Sequence, residues 1–509
     1  SSGPSPFGDP SGATRSREAD RDLGEGSCVF VGRAAPRREP KRRAECPEEG
    51  RQEEEEEVLK DFVWSSNTGH SGHQCLDFYQ GRLSDARRVR TSEVAPQERP
   101  GLVEFAKRYV SACVCKVEYV FVNNFVHLAD ANRPFVFTTE AWQALTGAVY
   151  PTKSPGAPLC YICPQNAFFL NDPNLSTEVE RVLTIYYRLG RGLFECTPSL
   201  DVYFPSKEDA VEIAETLMFD LQLPQVLVGK KVEPRKRGKT PRLVSMVALA
   251  VNTAQRALLS ADLFQEQLCE DIPTAVALDL TTPSKTQTLF ERFSKAAGEG
   301  KVCSSDVQGW EYSVSAVEQW SDAFVRCKRM GLITDDFRPV PGREIHFFSV
   351  MGMYYHSIFR VVQVASGELF VPPYGQVSSG EYKTFSSNSI MRSSLSNEIS
   401  LETRGCPAGF VLAAGDDCID DCGNQAAAYA KRGFVITDYV EQNASTGFDF
   451  CSTRFCDRNS YQENIDKSWF ALIHKIDIEP EDVAAFDLCF LRHPSYPRVR
   501  ERIRERHSL

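Results

Sequence analysis

Several features are missing from this chain of 509 residues, and each absence excludes some classes of protein. No run of about 18 apolar residues occurs, because the most apolar long stretch, Leu243 to Leu259, is interrupted by Asn252, Gln255 and Arg256. No membrane-spanning helix is therefore predicted. The sequence begins at Ser1 without a charged-then-apolar signal segment, which indicates release from a longer precursor or trimming, and a cytosolic location.

An excess of positive charge is also missing. The formal net charge is −11, which excludes a surface that is basic throughout. Any binding of nucleic acid must then depend on local clusters of Lys and Arg.

Evidence for paired cysteines is weak. The 17 cysteines form an odd number spread through the chain, which favours reduced thiols over a disulfide framework. Zinc is the alternative, because some residues have ligand-like spacing, but none is matched by a clean second pair. These candidates are Cys160 with Cys163, Cys113 with Cys115, and His70 with His73 and Cys75.

The remaining composition, 42% hydrophobic and 25% charged, is typical of a globular protein with a deep core and several subdomains. Residues 1 to 60 differ, because a basic run from Arg37 to Arg43 is followed by the glutamates Glu53 to Glu57. This pattern predicts a disordered, solvated tail, with a polybasic contact to RNA or a membrane surface as the alternative. From Phe62 onward the apolar density predicts one continuous globular body.

Helices and separated strands alternate within this body, which predicts an α+β fold. Ser206 to Leu221 has a capping serine and one apolar face, and is predicted to be a helix. Lys301 to Ser305 is a β-favouring run that leads into Asp306. Phe410 to Ala414 leads into Gly415-Asp416-Asp417 and is predicted to form strand, tight turn and strand.

Acidic residues at strand ends, far apart in sequence, suit one kind of chemistry. Joining nucleotides requires two divalent cations about 4 Å apart, and magnesium prefers carboxylate oxygens and water. Asp306, Asp416 and Asp417 meet that demand. A surface hairpin could carry the same Gly-Asp-Asp letters, so the surrounding segments must decide.

Two such segments have the expected spacing. Ser305 to Val314 contains Asp306, four residues and then Glu311. Ser379-Gly380, Thr384 and Asn388 follow one another at a regular spacing before Gly-Asp-Asp. With Gly-Asp-Asp, this ordered set resembles motifs A, B and C in the palm of viral RNA-dependent RNA polymerases, specifically of the sobemovirus, polerovirus and barnavirus group.

The resemblance implies roles for these residues. Asp306, Asp416 and Asp417 would be catalytic and hold Mg²⁺, with Mn²⁺ as a substitute. The nucleotide would be bound by Glu311, Ser379, Thr384 and Asn388, and the amide of Asn388 would recognise the 2′-hydroxyl. The family usually has Asp where this chain has Glu311, so the role of this longer side chain is less firmly implied.

A basic segment upstream, Lys231 to Val244, resembles motif F, which holds the incoming triphosphate. Lys231, Arg235 and Arg242 supply the fixed positive charge that phosphates require. A solvated turn or a localisation signal is the alternative, and the position of the segment before motif A favours the nucleotide role.

Three more segments complete the resemblance, which covers residues 150 to 495. Pro151 to Pro158 resembles motif G at template entry, although a plain Pro-Gly loop explains it equally well. Gly447 to Phe455 resembles motif E, which grips the primer strand, and Ala426 to Gly433 would be motif D with Lys431 as a candidate acid. RNA contacts are thereby expected from Lys153, Ser154, Gly156, Gly380, Cys451 and Ser452.

The implied architecture is a closed right hand with an antiparallel palm sheet. We expect a disordered segment over 1–60, an extension with fingers over 61–300, a palm with a fingers insertion over 301–460 and a thumb over 461–509. The implied partners are template and product RNA, nucleoside triphosphates, a genome-linked viral protein and other replicase proteins. The expected location is the host cytoplasm, at membrane-associated replication complexes reached through other proteins.

Two other functions compete with this hypothesis. A reverse transcriptase shares the palm, but it usually has a bulky aromatic residue where Glu311 and Asn388 would face the ribose. A non-catalytic viral RNA-binding protein would leave the order of the motifs unexplained.

Overall fold

The computed structural model describes residues 14–15, 29–33, 61–64, 94–112, 125–126, 135–195 and 200–507, except 240, 270, 277–279, 281, 299 and 476–477. The predicted zinc candidates at positions 70, 73, 75, 113 and 115 lie outside this part, as does most of the N-terminal segment. Cys160 and Cys163 are partly buried thiols.

The helices are α1 (Pro100–Ala112), α2 (Thr139–Gly147), α3 (Pro173–Phe194), α4 (Leu200–Tyr203), α5 (Lys207–Glu215), α6 (Leu249–Leu268), α7 (Pro283–Ala297), α8 (Trp310–Ser313), α9 (Ala316–Arg329), α10 (Glu344–Ile358), α11 (Thr384–Arg404), α12 (Ala426–Lys431), α13 (Ile465–Ile473), α14 (Pro480–Phe490) and α15 (Tyr496–His507). None of the helices in the described part of the chain has both the length and the apolar character needed to cross a membrane.

The strands are β1 (Thr14–Arg15), β2 (Val29–Arg33), β3 (Phe62–Trp64), β4 (Phe125–Val126), β5 (Val136–Phe137), β6 (Val226–Lys230), β7 (Pro234–Lys236), β8 (Leu243–Met246), β9 (Val302–Val307), β10 (Val362–Gln363), β11 (Glu368–Val371), β12 (Val411–Ala414), β13 (Asp417–Asp420), β14 (Ile436–Gln442), β15 (Phe448–Phe450), β16 (Thr453–Phe455) and β17 (Tyr461–Gln462). Among the described residues they form sheets in the orders β1-β2-β11-β10-β6-β8, β12-β13-β9-β14 and β15-β16-β17, and the pairs β3-β7 and β4-β5. Only β6 and β10 pair in parallel within this part, so the structure is α+β with antiparallel sheets, as predicted.

The largest apolar core lies between helices, where α3 packs along α10. Two glycines allow this close approach. A Cβ on Gly190 would lie 1.9 Å from the carbonyl oxygen of Phe348, and one on Gly352 would lie 2.0 Å from that of Tyr186. Any larger side chain at either position would force the two helices apart.

The helix predicted from Ser206 to Leu221 is confirmed, but its last turn is π-helical instead of α-helical. The hydroxyl oxygen of Ser206 accepts a hydrogen bond from the backbone N–H of Asp209, which caps α5. The helix then continues as a wider π-helical turn, Thr216–Asp220, that buries Leu217 and Met218.

Part of the N-terminal segment differs from the expected disordered tail. Val29–Arg33 forms β2 and pairs with β11, and Val31 is buried against Val211, Met218 and Val371. The prediction missed this short apolar run because the surrounding segment is highly charged. Burial of its side chains offsets the conformational entropy lost when the run is ordered.

A separate apolar cluster joins the C-terminal helices to an upstream strand. Phe62 of β3 packs against Phe470 of α13 at a ring distance of 5.8 Å, while β3 pairs with β7. The arginine-rich C-terminal segment forms α15, and Val499 and Ile503 of this helix are buried in the cluster. Its arginines occupy the other face of an amphipathic helix.

Candidate active site

The acidic residues meet at one end of the sheet β12-β13-β9-β14. Asp306 lies near the end of β9, Gly415 and Asp416 form the turn between β12 and β13, and Asp417 begins β13. Gly415 has φ +67°, a conformation that such a two-residue turn requires and that glycine adopts without strain. The predicted strand, turn and strand is therefore confirmed.

The strand register brings the carboxylates to the same face of the sheet. Cys418 pairs with Ser305, so continuing that ladder by one residue sets Asp417 opposite Asp306. On the other side of β9, Asp438 of β14 pairs directly with Asp306. No motif in the sequence points to Asp438, which lies in an ordinary β-favouring run.

Four aspartates, Asp306, Asp416, Asp417 and Asp438, lie close together at this end of the sheet, which we call the acidic edge. Their like charges help to raise the pKa of Asp306 and of Asp417. Burial, followed by repulsion from Asp416 and Asp306, raises the pKa of Asp417 from 3.8 to about 6. Burial and the charges of Asp416 and Asp438 raise the pKa of Asp306. The site therefore carries an excess of negative charge that a cation would relieve.

The donor set suits a hard divalent cation, because it consists of carboxylate oxygens. In the part of the chain that the structure describes, no three Asp, Glu, His or Cys side chains already converge as a ligand set. The carboxylates of Asp306, Asp416 and Asp417 would thus have to rotate to share a cation.

The segment that resembles motif B forms a loop followed by α11. The hydroxyl oxygen of Ser379 accepts a hydrogen bond from the backbone N–H of Ser245 in β8, at 3.0 Å. A Cβ on Gly380 would lie 1.9 Å from the carbonyl oxygen of Ser245, so only glycine fits beside this strand. Thr384 donates to the carbonyl oxygen of Ser378, while the side-chain oxygen of buried Asn388 accepts no hydrogen bond from the described residues.

The basic segment forms β7, β8 and their flanking turns. Its positive charges converge on one partly buried carboxylate, Glu233, which lies 3.3 Å from Lys231, 3.2 Å from Arg235 and 3.6 Å from Lys467 of α13. Although burial opposes it, the cations Lys467, Lys231 and Arg242 lower the pKa of Glu233. Two of the three predicted triphosphate ligands are therefore ion-paired in the structure, and sequence reasoning missed their partner.

Glu311 connects the basic segment with the acidic edge. Burial raises its pKa, and the charge of Asp416 raises it further, whereas Arg242 and Lys231 lower it. Glu311 and Ser379 also line one small cavity with Ser245. Glu311 therefore responds to the charge of Asp416 on one side and to the charges of Lys231 and Arg242 on the other.

The turn that resembles motif E also reaches the acidic edge. Cys451 and Ser452 both have φ 52° in the turn between β15 and β16, and the thiol of Cys451 hydrogen-bonds with the carboxylate of Asp417. Both residues line a cavity of about 330 Å³ together with Pro234 and Lys467. This cavity lies between the basic segment and the C-terminal helices.

Two other segments were predicted to take part in the site, namely those that resemble motifs G and D. Exposed Lys153 and partly buried Ser154 precede Gly156, which packs where β8 passes into α6, and the carbonyl oxygen of Pro155 accepts a hydrogen bond from the N–H of Leu249. Lys431 is exposed at the end of α12.

Comparison with known proteins identifies the class. No protein-family model matches the chain. It is 27% identical over 351 residues to the RNA-directed RNA polymerase of Mushroom bacilliform virus, which covers 67% of this chain and 78% of that protein. It is 23% identical over 266 residues to the replicase polyprotein P2AB of Cocksfoot mottle virus, and 23% identical over 262 residues to that of Southern cowpea mosaic virus. These matches cover 51% and 49% of this chain but only 26% and 25% of the polyproteins.

The relatives define the chain as an RNA-directed RNA polymerase. Its similarity to replication proteins of barnaviruses and sobemoviruses confirms the predicted resemblance to that group.

Proposed function

We propose that this chain replicates a positive-strand viral RNA genome by two-metal nucleotidyl transfer. The observation that carries the proposal is the placement of Asp306, Asp416 and Asp417 at one end of one sheet, where burial and the charge of Asp416 raise the pKa of Asp306 and of Asp417. These three aspartates would hold two Mg²⁺ ions, or Mn²⁺ ions, as metal ligands and catalytic residues. When bound, the ions would activate the attacking 3′-hydroxyl and stabilise charge on the triphosphate.

The chain's other residues bind and orient the substrates in this proposal. Lys231, Arg235 and Arg242 hold the triphosphate, which must displace Glu233 from the first two. Asn388 is suited to the ribose because its buried side-chain oxygen has no donor among the described residues and can accept a hydrogen bond from the 2′-hydroxyl.

Ribose contacts from Glu311, Ser379 and Thr384 would complete nucleotide binding, as the small cavity that Glu311 and Ser379 share suggests. RNA would be contacted by Lys153, Ser154, Gly156, Gly380, Cys451 and Ser452.

A closed right hand is the architecture that we propose. Contacts of β3 support it, because this strand pairs with β7 of the basic segment and also packs against α13. Fingers within 61–300, a palm over 301–460 and a thumb over 461–509 would then be joined at this point. The template would enter on the fingers side, and product RNA would leave past the turn at Cys451.

Partners and location are proposed on the same basis. We propose RNA and nucleoside triphosphates as substrates, a genome-linked viral protein and other replicase proteins as partners, and membrane-associated complexes in the host cytoplasm as the place of action.

Template-directed incorporation of labelled ribonucleotides tests the function. Asp416→Asn should reduce incorporation by several orders of magnitude, because a metal ligand at the reacting centre is lost. Asp421→Asn is the matched control, since Asp421 lies just beyond the far end of the same hairpin. Equal activity of Asp416→Asn and wild type would refute the proposed site, and a preference for deoxyribonucleotides would favour a reverse transcriptase.

A further inference from the structure

A buried arginine on α11 contacts the acidic edge from inside the protein. Arg392 has no exposed surface. Its Nε donates to the backbone carbonyl oxygen of Asp416 at 3.2 Å, and its Nη2 donates to the hydroxyl of Ser305 at 2.6 Å. Its Nη1 donates to the hydroxyl of Tyr429 at 2.5 Å.

The three partners of Arg392 lie on three separate elements. Asp416 is in the turn between β12 and β13, Ser305 precedes Asp306 on β9, and Tyr429 is on α12. A guanidinium group is planar, and its donors point in fixed directions. One rigid group therefore fixes the distance between the turn that carries Asp416 and the strand that carries Asp306.

A second residue of α11 holds the same turn. Ser389, one helical turn before Arg392, accepts a hydrogen bond from the backbone N–H of Gly415 at 2.8 Å. The N–H of Gly415 and the carbonyl of Asp416 are thus both bonded to α11. The turn cannot shift relative to the helix without breaking both bonds.

Arg392 is a buried arginine whose hydrogen-bond partners are all uncharged. None of the ion pairs among the described residues includes Arg392, although its positive charge lowers the pKa of Asp306, Asp417 and Asp420. Burying a charge is costly, and an apolar side chain could fill the same space at lower cost. The arrangement therefore indicates a role that needs a positive charge and directed donors near the carboxylates.

We propose that Arg392 is a positioning residue, which sets the spacing between Asp416 and Asp306 and thereby the affinity of the edge for divalent cations. The inference rests on the proposed function, because it takes these aspartates as the metal ligands. Arg392 lies on α11, the helix that follows the loop of Ser379 and Gly380. The proposal therefore makes this helix part of the support of the metal site.

The direct test measures Mn²⁺ binding to the full chain by electron paramagnetic resonance, with no nucleotide or RNA present. Arg392→Lys keeps the charge but cannot reach all three acceptors. We expect its Kd for Mn²⁺ to rise about tenfold, the effect of losing one or two charge-assisted hydrogen bonds. We also expect incorporation to lose kcat while the KM for nucleotide stays within about twofold.

Arg326→Lys is the matched control. Arg326 is also fully buried, but it binds Asp262, Asp322 and Ser386 instead of the acidic edge. It should lower the melting temperature and leave the Kd for Mn²⁺ unchanged. Equal weakening of Mn²⁺ binding in both variants would overturn the proposal, because the effect would then follow from general loss of stability.

Two milder variants apply if Arg392→Lys does not fold. Ser305→Ala and Tyr429→Phe each remove a single hydrogen bond, and each should raise the Kd for Mn²⁺ about threefold. Unchanged binding in folded variants refutes the role of Arg392. Failure of the proposed function gives a different result, in which Asp416→Asn binds Mn²⁺ as tightly as wild type does.

Discussion

Burial of Asp417 and its repulsion by neighbouring aspartates predict that a substitution that disables the proposed site will stabilise the metal-free protein. The pKa of Asp417 is raised from 3.8 to about 6, so ionising it in the folded state costs roughly 3 kcal/mol at pH 7.5. Asp417→Asn removes this charge and keeps a group of similar size. We expect it to raise the free energy of unfolding by roughly 1 to 3 kcal/mol, and the melting temperature by about 2 °C or more.

The sign of the pH dependence follows from the direction of the shift. The folded state holds the proton on Asp417 more tightly than the unfolded state does, so wild type loses stability as pH rises from about 4 to above 6. The advantage of Asp417→Asn should therefore be greatest at pH 7.5 and roughly half as large at pH 5. Added Mg²⁺ should reverse the order, because it binds the ionised site of wild type.

Differential scanning fluorimetry in EDTA at both pH values measures this effect. Asp421→Asn is the control, because Asp421 accepts a hydrogen bond from the N–H of Gly409 and pairs with Arg404. Its loss should leave the melting temperature unchanged or lower it. A melting temperature of Asp417→Asn at or below that of wild type in EDTA at pH 7.5 would refute the repulsion argument.

Three further predictions concern nucleotide binding and the closed hand. Asn388→Ala should weaken the preference for ribonucleotides over deoxyribonucleotides by about tenfold in kcat/KM, and equal loss for both would contradict its ribose contact. Arg242→Ala should raise the nucleotide KM or lower turnover, while normal kinetics with a salt slope of template binding smaller by about one would indicate an RNA-backbone contact instead. Phe62→Ala should shorten the product made per binding event in a heparin-trap assay, because it weakens the contact of β3 with α13, whereas exposed Phe168→Ala should not.

Local features of the fold could be predicted from neighbouring residues. Ser206 caps its own helix, and Gly415 makes the tight turn that carries Asp416. Both features depend on contacts within a few residues, so the local sequence is sufficient. The order of the motifs likewise indicated the class of enzyme, which the relatives confirm.

Other features depend on which distant segments meet. Val31 is ordered because it packs against β11 and α5, both of which are far away in the sequence. Glu233 is surrounded by charge from its own segment and from Lys467 of α13. No local pattern reveals such partners.

The sequence by itself determined the local elements, the candidate aspartates and the kinship with viral polymerases. Only the tertiary structure decided that Asp438 pairs with Asp306, that burial and repulsion raise the pKa of Asp417 to about 6, and that Arg392 links the turn to the neighbouring strand. The physical reason is that a hydrogen-bonding capacity and a charge belong to each residue type, whereas the partners, the burial and the resulting pKa depend on how the chain packs.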